Sequence, residues 1–365
     1  MLQQQRVARL RRRLEEEGLD GVFLGPSSDL EYLSGLVLFP DERPKGLMVS
    51  RSGLFALTPM LYQEDMGCTL GADVPLQVWE DHQGFLGAWT RGCEALGLAG
   101  KRIAVNDGMR AVDLLDAQGA LPGTYLNGAR LLEPLRRRKD PEELDKMRQA
   151  SKMADEVVRR LAAYQRPGQV ERELSKKILE WFEELGAQDL SFQPIVASGP
   201  NGSMPHYGGC DRVIQENDLV IFDLGCRYRG YCSDTTRTLF VGEPTAKQKE
   251  VYEIVRQAQV AGEAAVRPGV PAQEVDRAAR KVIADAGYGN YFLNRLGHGI
   301  GVAVHEAPYI IEGSELPLEV GNVFSIEPGI YLPGEFGVRI ENLVAVTETG
   351  CEPLNAFPRE LTVAG

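Results

Sequence analysis

Long apolar runs are missing from this chain. No stretch of its 365 residues approaches the ~18 consecutive apolar residues of a membrane-spanning helix, so no membrane partner is expected. The opening residues, Met1-Leu-Gln-Gln-Gln-Arg6, carry no apolar segment of secretory-signal type. An excess of positive charge is also missing. Lys and Arg number 40 against 52 Asp and Glu, a net −12, which argues against a nucleic-acid partner. Cysteine is sparse, six in all and never as C-x-x-C, too few for a disulfide scaffold. A reduced, cytoplasmic protein with its thiols as small core residues is expected. What remains is ordinary for a globular chain, 43% hydrophobic and 25% charged. At roughly 150 residues per domain the length predicts two domains.

The first, residues 1–132, reads as α/β. Val7, Leu10 and Leu14 fall at helical spacing before Gly18, with arginines on a solvated opposite face. Short apolar runs at 21–24, 46–49, 54–57 and 103–105 predict strands, with a helix over 81–96. The basic run Arg136-Arg-Arg-Lys139 reads as an exposed linker. Asp140 then suits an N-cap, with Pro141 at the first helical position.

The second domain, residues 133–365, carries a diverged repeat. Arg166-Pro-Gly168 precedes a predicted helix, and Arg267-Pro-Gly269 precedes another 101 residues on. Each half continues into strands that end on an acid, Asp223 after Leu219-Val-Ile-Phe and Glu327 after Val323-Phe-Ser-Ile. Acids are poor strand residues and costly to bury alone. Asp234 follows Asp223 across a hairpin connection, so the two can face each other over a strand pair. Glu341 sits in the strand-like run Gly337–Val346, two residues from Arg339 and on its face. Four carboxylates converging on one apolar site repel, and hard divalent cations would neutralise them.

Histidine sharpens this reading. Of four in the chain, His206, His298 and His305 lie in this domain, and His82 reads as a surface residue. His298 sits in Gly297-His-Gly-Ile-Gly301, where glycine lets backbone approach closely. That segment lacks the G-x-x-x-x-G-K pattern of a phosphate loop. A neutral imidazole favours a transition-metal ion over Mg²⁺ or Ca²⁺.

Asp223, Asp234, His298, Glu327 and Glu341, in these motif settings, resemble the five metal ligands of the pita-bread metallopeptidases (M24), over about residues 136–365. Leu30-Glu-Tyr-Leu-Ser-Gly35 is similar to the creatinase-type N-terminal domain of the proline-directed members. The resemblance implies an α/β two-domain chain, a creatinase-like domain followed by an α+β pita-bread domain with a pseudo-twofold repeat. Arg339 and Tyr331 favour its Xaa-Pro branch, aminopeptidase P or prolidase, over methionine aminopeptidase or a non-catalytic member. It implies a homodimer and two divalent ions, Mn²⁺ first, with Co²⁺ or Zn²⁺ as alternatives. Asp234 and Glu341 would bridge the ions, Asp223 would chelate one, and His298 and Glu327 the other. The substrate would be a peptide with proline second. Glu327 would shuttle protons, His305 would stabilise the oxyanion or the scissile group, and His206 would position substrate. Arg339 would brace Asp234 or Glu341, or catch a substrate carboxylate, and Tyr331 would line the proline pocket. One departure stands out: many relatives have histidine four residues before the ligand histidine, and this chain has Asn294.

Overall fold

The computed structural model describes residues 2–364. The chain divides between Arg136 and Arg137 into two units, just past the expected boundary. No helix of the described residues is long and apolar enough to cross a membrane.

The first unit is built on a six-stranded mixed sheet. Its strands run in the order Leu76–Trp79, Leu54–Pro59, Gly46–Ser50, Gly21–Leu24, Arg102–Val105, Thr124–Asn127. The four predicted from apolar runs are the central ones. The two edge strands escaped because edges are half-solvated and their sequences, Leu-Gln-Val-Trp and Thr-Tyr-Leu-Asn, carry polar residues. The helix Gln4–Glu16 buries Val7, Leu10 and Leu14, as its spacing requires. The helix expected over 81–96 is shorter, Leu86–Ala95. Gln83 and Gly84 close a turn on the Glu80 carbonyl, and Gly84 adopts φ +69°, which no helix continues through.

The basic run is not an exposed linker. Arg136 pairs with Asp29 at 2.8 Å inside the first unit. Within the second unit, Arg137 pairs with Glu319 and Lys139 is buried against Glu306. Charge alone suggested solvent, but each cation except Arg138, which stays exposed, has a carboxylate to meet. Asp140 does cap the helix Pro141–Tyr164, in a reciprocal capping box with Glu143.

The second unit repeats itself in detail. Leu174, Ile178 and Phe182 form the buried stripe of the helix Glu171–Glu184. Val275, Ala279 and Ile283 do the same for Ala272–Asp285. Both helices follow a left-handed glycine whose N–H donates over 2.8 Å, Gly168 to Ile214 and Gly269 to Leu318. A four-stranded sheet carries Leu219–Leu224 beside Thr235–Val241, and a five-stranded sheet carries Gly297–Gly299, Val323–Ile326 and Asn342–Val346. Each half has its own apolar core, one around Phe182 and Phe222, the other around Ile283 and Phe324. None of the six cysteines is in a disulfide. Cys93, Cys226 and Cys232 are core residues as expected, whereas Cys68 is exposed and Cys210 and Cys351 are half-buried.

Candidate metal centre and active site

The strands of both halves present acids to one cavity of about 540 Å³. Asp223 lies on Leu219–Leu224, where its register partner is Thr236. Asp234 is two residues before Thr236 on the same face, so it sits diagonally from Asp223 rather than directly across. Glu327 follows Val323–Ile326, and Glu341 lies between Phe336–Arg339 and Asn342–Val346. His298 occupies the centre of the three-residue strand Gly297–Gly299. Its two glycines are needed for close approach. A Cβ on Gly297 would stand 1.8 Å from the Ser325 carbonyl, and one on Gly299 would stand 2.2 Å from that of Ala307.

Each of Asp234, His298 and Glu341 offers a ligand atom, and these atoms lie within 4.8 Å of one another. His298 Nε2 is 3.3 Å from Glu327 Oε1 and 3.6 Å from Asp234 Oδ2. The Asp223 Oδ1, Asp234 Oδ1 and Glu341 Oε1 atoms are buried with no hydrogen-bond partner among the described residues. Buried acceptors are rarely left so.

The electrostatics agree. Burial first, then Glu341, Asp223 and Glu327, raise the Asp234 pKa well above the ordinary carboxylate range. Burial, with Glu327 and Asp223, does the same to Glu341. Glu327 is pushed up to about 7, again chiefly by burial, with Arg339 opposing. His298 is pushed down to about 3 by burial, so its imidazole is neutral. Its Nδ1 lies 3.1 Å from the Gly299 carbonyl. That contact assigns the ring proton to Nδ1 and leaves the Nε2 lone pair facing the carboxylates. Three unpartnered carboxylate oxygens, mutual repulsion and a neutral imidazole fit divalent metal ions.

The family models divide the chain in the same way. Residues 6–137 match the creatinase/prolidase N-terminal domain, and residues 145–348 match metallopeptidase family M24. The chain belongs to metallopeptidase family M24. It is 40% identical over 358 residues to a probable dipeptidase, PepE, of Mycobacterium tuberculosis, covering 95% of this chain and 93% of that protein. It is 35% identical to a Xaa-Pro dipeptidase of Lactobacillus delbrueckii subsp. lactis, with 96% of each chain covered. The structure of a recombinant prolidase from Thermococcus sibiricus superposes with a TM-score of 0.95 at 37% identity, covering 100% of this chain and 99% of that one.

The remaining residues singled out in this M24 chain fall into two groups. His206, His305 and Asn294 line the cavity, both histidines being exposed. The His305 ring meets that of His298 edge-on at 4.2 Å between centroids. Burial, Arg295 and His206 lower the His305 pKa. Tyr331 and Arg339 differ from expectation. Tyr331 is 1% exposed and not on the cavity surface. It packs with Ala197 and Ile221, and its hydroxyl accepts from Arg339 Nη1 at 3.0 Å. Arg339 donates to Asp223 Oδ2 at 2.6 Å, not directly to Asp234 or Glu341. It reaches Glu341 through a hydroxyl. Its Nε donates to Thr236 Oγ1 at 3.1 Å, and that hydroxyl donates to Glu341 Oε2 at 2.6 Å. Burial opposes the Arg339 charge, but Tyr331, Asp223 and Glu327 around it hold its pKa well above the usual value.

Two hydroxyls were missed. Ser325 Oγ accepts from the His298 N–H and donates to Glu327 Oε1, both at 3.0 Å. Thr236 is the other. Each could have been found by position, Ser325 two residues before Glu327 and Thr236 two after Asp234, each pair sharing a face.

Proposed function

We propose that this chain is a Xaa-Pro dipeptidase, hydrolysing the bond between an N-terminal residue and a following proline. The observation that carries the reading is the convergence of Asp234, Glu341 and the neutral His298 beside two further carboxylates in one cavity. The cavity volume of about 540 Å³ suits a small molecule such as a dipeptide. Relatives of this length named as dipeptidases and Xaa-Pro dipeptidases support the substrate class.

Asp223, Asp234, His298, Glu327 and Glu341 would hold two divalent ions, with Mn²⁺ first and Co²⁺ or Zn²⁺ as alternatives. When bound, such ions neutralise the carboxylates and act as Lewis acids towards water and the scissile carbonyl. The residues supply the rest. Glu327 takes the proton of the attacking water and returns it to the proline nitrogen as the C–N bond breaks, giving a free amino acid and proline. His305, at the cavity surface, donates to the developing oxyanion. His206 holds the substrate on the proline side. Arg339 fixes the Asp223 carboxylate and, through Thr236, that of Glu341, and Tyr331 holds Arg339 from beneath. The reading extends to a cytoplasmic homodimer.

The deciding experiment gives the Mn²⁺-loaded protein Ala-Pro and Ala-Pro-Ala together and identifies products by mass spectrometry. Cleavage of Ala-Pro alone is expected. Release of alanine from the tripeptide would replace the reading with an aminopeptidase P. Cleavage of neither would remove the proline specificity.

A further inference from the structure

Lys139 and Glu306 form an ion pair that the chemistry above does not use. The Nζ–Oε1 distance is 2.7 Å, and the side chains are 1% and 7% exposed. Desolvating two charges is expensive, and apolar residues of like volume often serve stability as well. The place of the pair in the fold gives it another use.

Glu306 follows His305 directly and opens the strand Glu306–Ile310. Its second oxygen takes the Ala303 N–H at 3.4 Å. Its carboxylate lies so close beneath Gly301 that a Cβ there would meet Glu306 Oε1 at 2.7 Å and Lys139 Cε at 2.9 Å. Gly301 in turn donates to the Ala303 carbonyl at 2.9 Å. The segment 301–305 is therefore folded over one carboxylate. Two cavity rings meet at that segment: His305 is its last residue, and its ring lies edge-on against that of His298 at 4.2 Å between centroids. Lys139 is itself anchored, its N–H donating to Gly321 at 2.8 Å immediately before the Asp140 cap.

We propose that Lys139, acting through Glu306, is the positioning residue that sets the His298–His305 pair. The proposal rests on the reading that His298 ligates metal and His305 meets substrate. A small displacement of the segment would move both rings, and misplacement of about 1 Å at a reacting centre costs ~10²-fold in rate.

The test uses the full chain as Lys139→Met, as the apolar double variant Lys139→Met/Glu306→Leu, as Lys139→Arg and as His305→Ala. Melting temperature, Mn²⁺ affinity by calorimetry, and kcat and KM on Ala-Pro are measured for each. Lys139→Met is expected to lose about 10²-fold in kcat and about 10-fold in Mn²⁺ affinity. The double variant is expected to regain the melting temperature but neither kcat nor metal affinity. A double variant with wild-type kcat and affinity would overturn the proposal and leave the pair as packing. Should the double variant not fold, Lys139→Arg decides, because it keeps the charge but not the contact geometry. Unchanged kcat and affinity in that variant would overturn the proposal too. A wild-type rate for His305→Ala would sink the role of His305 alone, and an inactive wild type would sink the proposed substrate. In both cases the Mn²⁺ affinities still judge Lys139.

Discussion

The floor and the rim of the cavity are made differently. On the floor, Asp234, His298 and Glu341 are buried and set on or beside strands, with Ser325 and Thr236 fixing their neighbours by hydrogen bonds near 3 Å or shorter. On the rim, His206 is exposed in a turn and His305 is exposed in a bend just before a strand. A metal tolerates only small errors in ligand position, so its ligands belong on rigid elements. A substrate varies, and the groups that meet it sit on loops that can vary with it. Under the proposed roles, rigidity follows the chemistry each layer would do.

That contrast can be tested from the floor upwards. Asp234→Ala is expected to lower kcat/KM by about 10³-fold or more, because several kcal/mol of Lewis-acid assistance goes with the ions. Metal content measured by mass spectrometry on the purified protein would fall with it. A variant that keeps full activity would place the chemistry elsewhere. One layer up, His305→Ala is expected to cost about 10²-fold in kcat, as for loss of one oxyanion donor, with metal content unchanged. If metal is lost as well, floor and rim are not separable. Thr236→Val removes only the hydroxyl between Arg339 and Glu341, and about 10-fold weaker Mn²⁺ binding by calorimetry is expected. Unchanged affinity would show that Glu341 needs no such brace.

The smallest effect is on stability. Without metal, Glu327 is pushed up to about 7, and Asp234 and Glu341 also lie above their ordinary values. A carboxyl with a raised folded-state pKa contributes stability that is full below its unfolded value and lost as pH climbs through the folded one. After chelation, the melting temperature is expected to fall by on the order of 5 °C between about pH 5 and about pH 8. Added Mn²⁺ is expected to abolish that fall. A chelated protein that grows more stable over this window would contradict the repulsion described for the floor.

The floor was readable in the sequence because its residues break a rule. Asp223 and Glu327 end apolar strand runs where a charge is costly, and His298 stands between glycines. The braces were harder to read because Thr236 and Ser325 are ordinary strand residues whose partners are decided only by register. Arg339 was placed on the right face, but its carboxylate is Asp223, which lies 116 residues away. Tyr331 was assigned to the pocket by its motif, yet one face of its strand is turned to the core. The central strands of the first unit announced themselves as apolar runs, whereas its edges did not. Lys139 looked like one more charge in a basic run, since nothing local reveals a glutamate 167 residues on.

The two glycines around His298 leave no room for any other residue, each pressed on a different strand. The address of that imidazole is thus written in three backbones as well as in the side chains that brace it. Sequence drift around the cavity mouth can alter what is digested without touching where it is digested. A saturation library would record this asymmetry directly: viable members would scatter across the loops, and positions 297 and 299 would remain blank.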